Sequence, residues 1–375
     1  MIPFALPTIE QDELDAVNEV LKSGWLTMGP KTFELEEKLK ELTGAKHCVV
    51  VGSCTAALHL SLIAHGIGKG DEVITTPYTF ASTGNMIDQA GARPVFVDVQ
   101  KDTFNIDPEK IKKAITRNTQ AIIPVDFAGQ PCDYDEIRDI AEDHSLVVIA
   151  DAAHSIGAKY HEGNVGTLAE TTCFSFYATN CVTMGEGGAI LTDDPWVADK
   201  TRLLRLHGIS KDAWKRYAAT GSWYYEIEEC GWKYNTTDMN AAIGICQINK
   251  IDRLWQRRTE IAKMYDKGLP GMGQIRRTDR THTHHLYPIM VPHHKEFIEK
   301  MGLRGIGCSV HVIPLHLHPY YKNTYGYGRG DFPVAEAIYD HEVSLPIYPR
   351  MDDASVEYVI KSVKEILNER PTESH

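Results

Sequence analysis

The sequence predicts an α/β protein with a large, mostly parallel sheet domain followed by a smaller C-terminal α/β domain. Two observations carry this reading. From residue 48 to residue 150, short apolar runs alternate strictly with segments of helical spacing, the pattern of a parallel sheet covered on both faces. A long helical pattern from Asp238 to about Lys267 then leads away from that region, dividing the chain into residues 1–250, including the N-terminal segment, and residues 251–375.

The elements are read in chain order. Leu14, Val17, Val20 and Leu21 recur at helical spacing between Glu10 and Lys22, and Ser23-Gly24 stops the helix. A second amphipathic helix starts after Pro30, carries Phe33, Leu35, Leu39 and Leu42, and ends at Gly44. Strands are then expected at 48–51, 73–75, 94–97, 121–125 and 146–150, with helices at 55–65, 81–90, 108–116 and 133–143 between and around them. The tail from Glu369 to His375 is expected to fray.

In such sheets ligands sit beyond the carboxyl ends of the strands. No G-x-G-x-x-G comes after the first strand, so a dinucleotide-binding domain is unsupported. That position holds Gly52-Ser53-Cys54-Thr55-Ala56, a small-residue turn opening into a helix, whose exposed amides favour a phosphate. An ordinary strand-to-helix turn reads the same way. Phe80, beyond the second strand, offers a flat apolar face or simply core. Asp151 ends the apolar run Val147-Val148-Ile149-Ala150, and a carboxylate there needs a cation such as a protonated pyridine nitrogen. His154, one turn on, either reaches a ligand or packs beneath Asp151. Ser175 can donate to a phosphate, and the Gly185-Glu186-Gly187-Gly188 turn allows close backbone approach.

Composition narrows the alternatives. With 375 residues, 43% hydrophobic and 24% charged, the chain has ordinary globular proportions. A net charge of -12 without a basic run argues against nucleic acid or an anionic membrane as partner. The eight cysteines are scattered singly, without zinc spacing or disulfide-scaffold density, and read as reduced thiols with no metal site. Met1 to Pro7 has no basic, apolar signal pattern, and no stretch approaches the roughly 20 apolar residues of a membrane span. A cytoplasmic protein is expected.

Ser-Cys-Thr-Ala-Ala-Leu-His (53–59), Pro-Tyr-Thr-Phe (77–80), Asp-Ala-Ala-His (151–154), Phe-Ser-Phe-Tyr-Ala-Thr (174–179) and Gly-Glu-Gly-Gly (185–188) occur together and in this order. As a set they resemble the nucleotide-sugar aminotransferases of the DegT/DnrJ type, which are fold type I pyridoxal-phosphate enzymes. The likeness runs nearly end to end, through Ser23–Pro30, Leu206–Ile209, Trp232–Asp238 and Pro314–Tyr321. It implies a phosphate cradle of Thr55, Ala56 and Ser175, completed by Asn235 from the other subunit of a homodimer. It also implies Phe80 on the pyridine ring, Asp151 on its nitrogen, glutamate as amino donor and a nucleotide-linked keto sugar as acceptor. Trp25, His311 and His316 match positions near the sugar or diphosphate in relatives. The run from Tyr224 to Asn235 most resembles enzymes acting at C4 of UDP-linked sugars.

Aligned on that family, the lysine that forms a Schiff base with pyridoxal phosphate falls on Asn180, and residues 170–199 contain no lysine. A carboxamide is neither basic nor nucleophilic near neutral pH. The chain therefore reads as an aminotransferase in an inactive or trapped form. Two alternatives stand beside it: a lysine-less sugar dehydratase that uses pyridoxamine phosphate, and a non-catalytic homologue that binds nucleotide sugar or cofactor.

Overall fold

The computed structural model describes residues 1–210 and 224–369. Its strands β1 (His47–Val51), β2 (Glu72–Thr75), β3 (Arg93–Phe96), β4 (Thr119–Ile123) and β5 (Val147–Asp151) are followed by a short hairpin, β6 (Lys159–Tyr160) and β7 (Gly163–Asn164). With β8 (Thr171–Ser175) and β9 (Gly188–Thr192), they complete a seven-stranded sheet in the order β1-β9-β8-β5-β4-β2-β3. β9 pairs antiparallel with both β1 and β8, while the neighbours from β8 to β3 all pair parallel.

Side-chain alternation along these buried strands feeds two cores. Val50, Ile122 and Val148 pack with Leu35 and Leu39 of α2 (Pro30–Thr43) and Ile137 of α6 (Tyr134–His144) on one face. Val49, Val51, Ile123 and Ile149 pack with Leu58 and Leu60 of α3 (Cys54–Ala64) and Ile87 of α4 (Ala81–Gln89) on the other. The remaining helices of this half are α1 (Gln11–Ser23), α5 (Pro108–Ala114) and α7 (Pro195–Leu204).

The expected long helix from Asp238 to Lys267 is two helices, α8 (Asp238–Asn249) and α9 (Ile251–Gly268), broken at Lys250 with φ -118° and ψ 15°. The ammonium of Lys250 is held by Glu10, Asp12 and Glu13 at the start of α1. Periodicity cannot register a break made by a residue more than two hundred positions away in sequence.

Beyond the break, α10 (His294–Leu303) and α13 (Asp353–Asn368) close over the two-stranded sheet of β10 (Tyr287–Met290) and β11 (Glu342–Leu345). Two features cross the division expected near residue 250. Ile2 pairs with Ile306, and Ile2 and Leu6 pack on the C-terminal core, although the N-terminal segment was expected with the large sheet. In return, Val312, Leu315, Tyr321 of α11 (Pro319–Tyr325) and Ile338 of α12 (Pro333–Tyr339) pack with Tyr78, Phe96 and Phe127 above β2, β3 and β4. The frayed tail expected at 369–375 lies outside the described residues from 370 onward.

Asp238, at the start of α8, caps α2 from a distance. Its buried carboxylate accepts the backbone N–H groups of Gly29 (2.8 Å), Lys31 (3.0 Å) and Thr32 (3.0 Å), and the Thr32 hydroxyl (2.8 Å). Asp238→Ala leaves these donors without an acceptor and should cost about 3 kcal/mol, read as a lowered urea midpoint. An unchanged midpoint would show that the cap is energetically idle.

Glu342 is fully buried on β11, accepting the Ser344 hydroxyl (2.5 Å) and the His311 N–H (3.3 Å), and burial raises its carboxyl to about 7. A folded pKa above the unfolded value of roughly 4.3 means the contribution is full below the unfolded pKa and is lost as pH rises to the folded one. Glu342→Gln should therefore gain stability over the wild type as pH climbs from about 5 to about 8. Urea titrations of both proteins at the two pH values test this, and a constant difference would refute it.

Candidate active site

Five loops at the ends of sheet strands meet segments of the C-terminal half around a cavity of about 420 Å³. Ser53, Cys54 and Thr55 enter after β1, Thr79 and Phe80 after β2, Val125 and Phe127 after β4, Asp151 and His154 with β5, and Ser175 and Asn180 with β8. His285, His311 and Val312 close it from the other side. Among the described residues, no lysine lines this cavity.

Asp151 is 5% exposed and is held by protein donors only. Oδ2 accepts the Thr83 hydroxyl at 2.7 Å, Thr83 is in turn 2.8 Å from the Thr79 hydroxyl, and Oδ1 accepts the Ala153 N–H at 3.3 Å. The Cys54 thiol lies 3.9 Å from Oδ1. No ion pair to Asp151 exists among the described residues, and burial raises its pKa against the opposing hydrogen bonds. A buried carboxylate facing a cavity without a cation suits a ligand that brings a protonated nitrogen.

The start of α3 is capped by Ser53, whose hydroxyl accepts the Ala56 N–H at 3.1 Å. Ala56, expected in the phosphate cradle, thus has its amide occupied and does not line the cavity. The amides of Cys54 and Thr55 have no carbonyl within the helix to bind, and Thr55 and Ser175 both face the cavity. Gly188 lets β9 approach this turn: a Cβ there would lie 2.4 Å from the Ser53 backbone carbon.

His154 is one of three imidazoles rather than an isolated one. It stacks on His285 with ring centroids 4.1 Å apart and meets His311 edge-on at 4.9 Å. Burial lowers the pKa of all three, that of His311 to about 4, and mutual proximity lowers His154 and His285 further. All three rings are neutral at pH 7. Nδ1 of His154 and of His285 is buried with no partner among the described residues.

Asn180 lines the cavity with its Nδ2 donating to the carbonyl of Ser175 at 3.0 Å and of Ala153 at 3.4 Å. Phe80 lines it with an exposed ring. The other expected residues lie elsewhere. His316 is fully buried, paired with Glu336 at 2.9 Å and packed edge-on against Phe332. Trp25 bonds its own loop, Nε1 donating to the Met28 carbonyl at 3.2 Å, and Asn235 takes a bond from the Lys233 ammonium and donates to Thr236. Neither lines the cavity within this chain. Conversely, sequence reasoning missed Thr83 and His285. Thr79 and Thr83, four positions apart around the start of α4, are the signal for the former, and the histidine-rich run from His282 to His285 is the signal for the latter.

Among the described residues no helix is long and apolar enough to cross a membrane, and no cluster of His, Cys, Asp or Glu is arranged to hold a metal. Residues 7–364 match the model of the DegT/DnrJ/EryC1/StrS aminotransferase family. The chain is 46% identical to the spore coat polysaccharide biosynthesis protein SpsC of Bacillus subtilis, the match covering 98% of this chain and 97% of that protein. Among solved structures, Spr1654 from Streptococcus pneumoniae in its PMP form superposes with a TM-score of 0.93 at 34% identity, over 98% of this chain and 99% of the other. PseC of Helicobacter pylori, an aminotransferase involved in the biosynthesis of pseudoaminic acid, gives 0.90 at 30% identity, over 98% and 99%. The fold is that of the fold type I enzymes, and the chain belongs to the DegT/DnrJ/EryC1/StrS aminotransferase family.

Proposed function

We propose that this chain binds pyridoxal phosphate or pyridoxamine phosphate in the 420 Å³ cavity and that its parent reaction moves an amino group from glutamate to a nucleotide-linked keto sugar, at C4. The observation that carries the reading is Asp151, a buried carboxylate that lines the cavity with no cation beside it among the described residues. A pyridinium nitrogen supplies the missing charge. When bound, the pyridine ring of such a cofactor withdraws electrons from the carbon that carries the transferred amino group.

The chain's own residues are assigned around that ring. Asp151 holds the proton on the ring nitrogen, and Thr83 fixes the carboxylate through its hydroxyl. Thr55, Ser175 and the free amides at the start of α3 receive the phosphate, and Phe80 covers a ring face. Asn235, which lies outside the cavity of its own chain, is assigned to the cavity of a second subunit, and the working assembly is read as a homodimer. His154 and His311 offer neutral imidazoles to the reacting groups, and His285 backs the first of them. Asn180, in the place of the family's cofactor-bound lysine, moves no proton, so turnover of this chain is slow or absent. The cytoplasm is the expected location, where glutamate and nucleotide sugars are available.

One observation favours a second reading, the lysine-less dehydratase with pyridoxamine phosphate. Three imidazoles, His154, His285 and His311, line the same cavity as Asn180, the side-chain type that a lysine-less proton transfer calls for. Incubation with cofactor, glutamate and nucleotide-linked keto sugars, with the products analysed by mass spectrometry, separates the readings. Loss of water from the sugar indicates the dehydratase, an amino sugar the aminotransferase.

Asn180→Lys should raise amino transfer by at least about 10²-fold, the low end of what a positioned acid–base group contributes. It should also produce the absorbance band of a lysine-bound cofactor, discharged by an amino donor. Formation of the band without transfer to any 3-keto or 4-keto nucleotide sugar would remove the aminotransferase assignment. Asp151→Asn should act in opposite directions on the two states of the protein. Without cofactor it relieves an uncompensated buried charge and should raise the urea midpoint at pH 8, by about 1–3 kcal/mol in stability, while cofactor affinity falls. A variant that binds cofactor as tightly as the wild type would place the ring nitrogen elsewhere.

A further inference from the structure

The carboxamide of Asn180 can be oriented from its neighbours alone. Both groups it meets, the carbonyls of Ser175 and Ala153, can only accept hydrogen bonds. Nδ2 must therefore face them, since the reversed amide would set Oδ1 against two carbonyl oxygens and forfeit both bonds. Among the described residues no donor reaches Oδ1. The side chain lines the cavity, so its carbonyl oxygen is the polar atom it has left for an occupant.

The two bonds also tie the end of β8 at Ser175 to the turn after β5 at Ala153, the turn that carries Asp151 and His154. Ala153 donates its own N–H to Asp151, so rotation of the amide would loosen the loop beneath the buried carboxylate. Asn180 is thus a fixed acceptor, unable to turn its N–H groups toward the cavity without giving up its anchors.

We infer that Asn180 makes this site selective for the amine form of the cofactor, pyridoxamine phosphate, over the aldehyde form, because a fixed carbonyl oxygen accepts a bond from an ammonium group and repels an aldehyde oxygen. The inference rests on the cofactor reading proposed above. A lysine at this position captures the aldehyde by bonding to it. The anchored carboxamide reverses that preference, and the protein takes up its cofactor already carrying the amino group. A bond from a charged donor is about twice as strong as a neutral one, so the selectivity should be large enough to measure.

The test is equilibrium titration of the full-length, cofactor-stripped protein by calorimetry with three ligands that share ring and phosphate. These are pyridoxamine phosphate, pyridoxal phosphate and 4-deoxypyridoxine phosphate, which bears a methyl group at the same carbon. In the wild type the amine should bind at least about tenfold more tightly than either of the others, the ratio that roughly 1.4 kcal/mol gives. Asn180→Ala, checked for folding by circular dichroism, should bring the three affinities together. The wild-type comparison stands without the variant. Aldehyde or methyl forms binding as tightly as the amine would overturn the inference and leave the cofactor reading intact, as would a preference retained in Asn180→Ala. Failure of all three to bind would overturn the cofactor reading, and this inference with it.

Discussion

A carboxylate buried at the end of the central strand, with no cation beside it among the described residues, is the constraint on which the site depends. Asp151 is bound by a threonine hydroxyl, a backbone amide and a nearby thiol, all neutral, so the ionised carboxylate bears a desolvation cost that these bonds offset in part and that a positive charge in the cavity would offset further. Thr83 holds the carboxylate from α4, with the Thr79 hydroxyl behind it, and Ala153 holds it from its own loop. Asn180 in turn holds the loop of Ala153 to the end of β8. Three consecutive layers of hydrogen bonding therefore fix one charged group at the meeting point of the parallel strands.

The opposite wall is built differently. His154 comes from the sheet, but His285 and His311 come from the C-terminal half, brought in by the aromatic cluster in which Val312, Leu315 and Tyr321 pack against Tyr78, Phe96 and Phe127. Burial keeps the three imidazoles neutral, and Glu342, itself buried, holds the backbone of His311 from β11. The cavity thus has one side that calls for positive charge and another that offers proton acceptors without net charge. It forms only when both halves of the chain are packed together.

The strands β1 to β5, their order along the chain and the helices between them were legible in the sequence because buried parallel strands are written as short continuous apolar runs bounded by turn residues; β6 to β11 were not singled out. Asp151 was legible for the same reason, as an acid at the end of such a run, and the family motifs pointed to Thr55, Phe80 and Ser175 at neighbouring strand ends. Ala56 lay beside them in sequence, yet Ser53 takes its amide, a competition between cap and ligand that residue types do not reveal. His316 shared the histidine-rich character of His311 five positions earlier, but its ring turns into the core to meet Glu336. The break at Lys250 was illegible because its cause, the acidic start of α1, is remote in sequence.

The sequence by itself determined the fold class, the family and the presence of an amide at position 180, since each depends on residue identity and local spacing. The tertiary structure alone decided which way that amide faces, which histidines share a wall, and that no cation among the described residues lies near the carboxylate of Asp151. Those properties depend on which backbone atoms and side chains arrive from other strands. Hydrogen-bond direction and desolvation are set by neighbours within a few ångströms in space, and in this protein most of those neighbours are far apart along the chain.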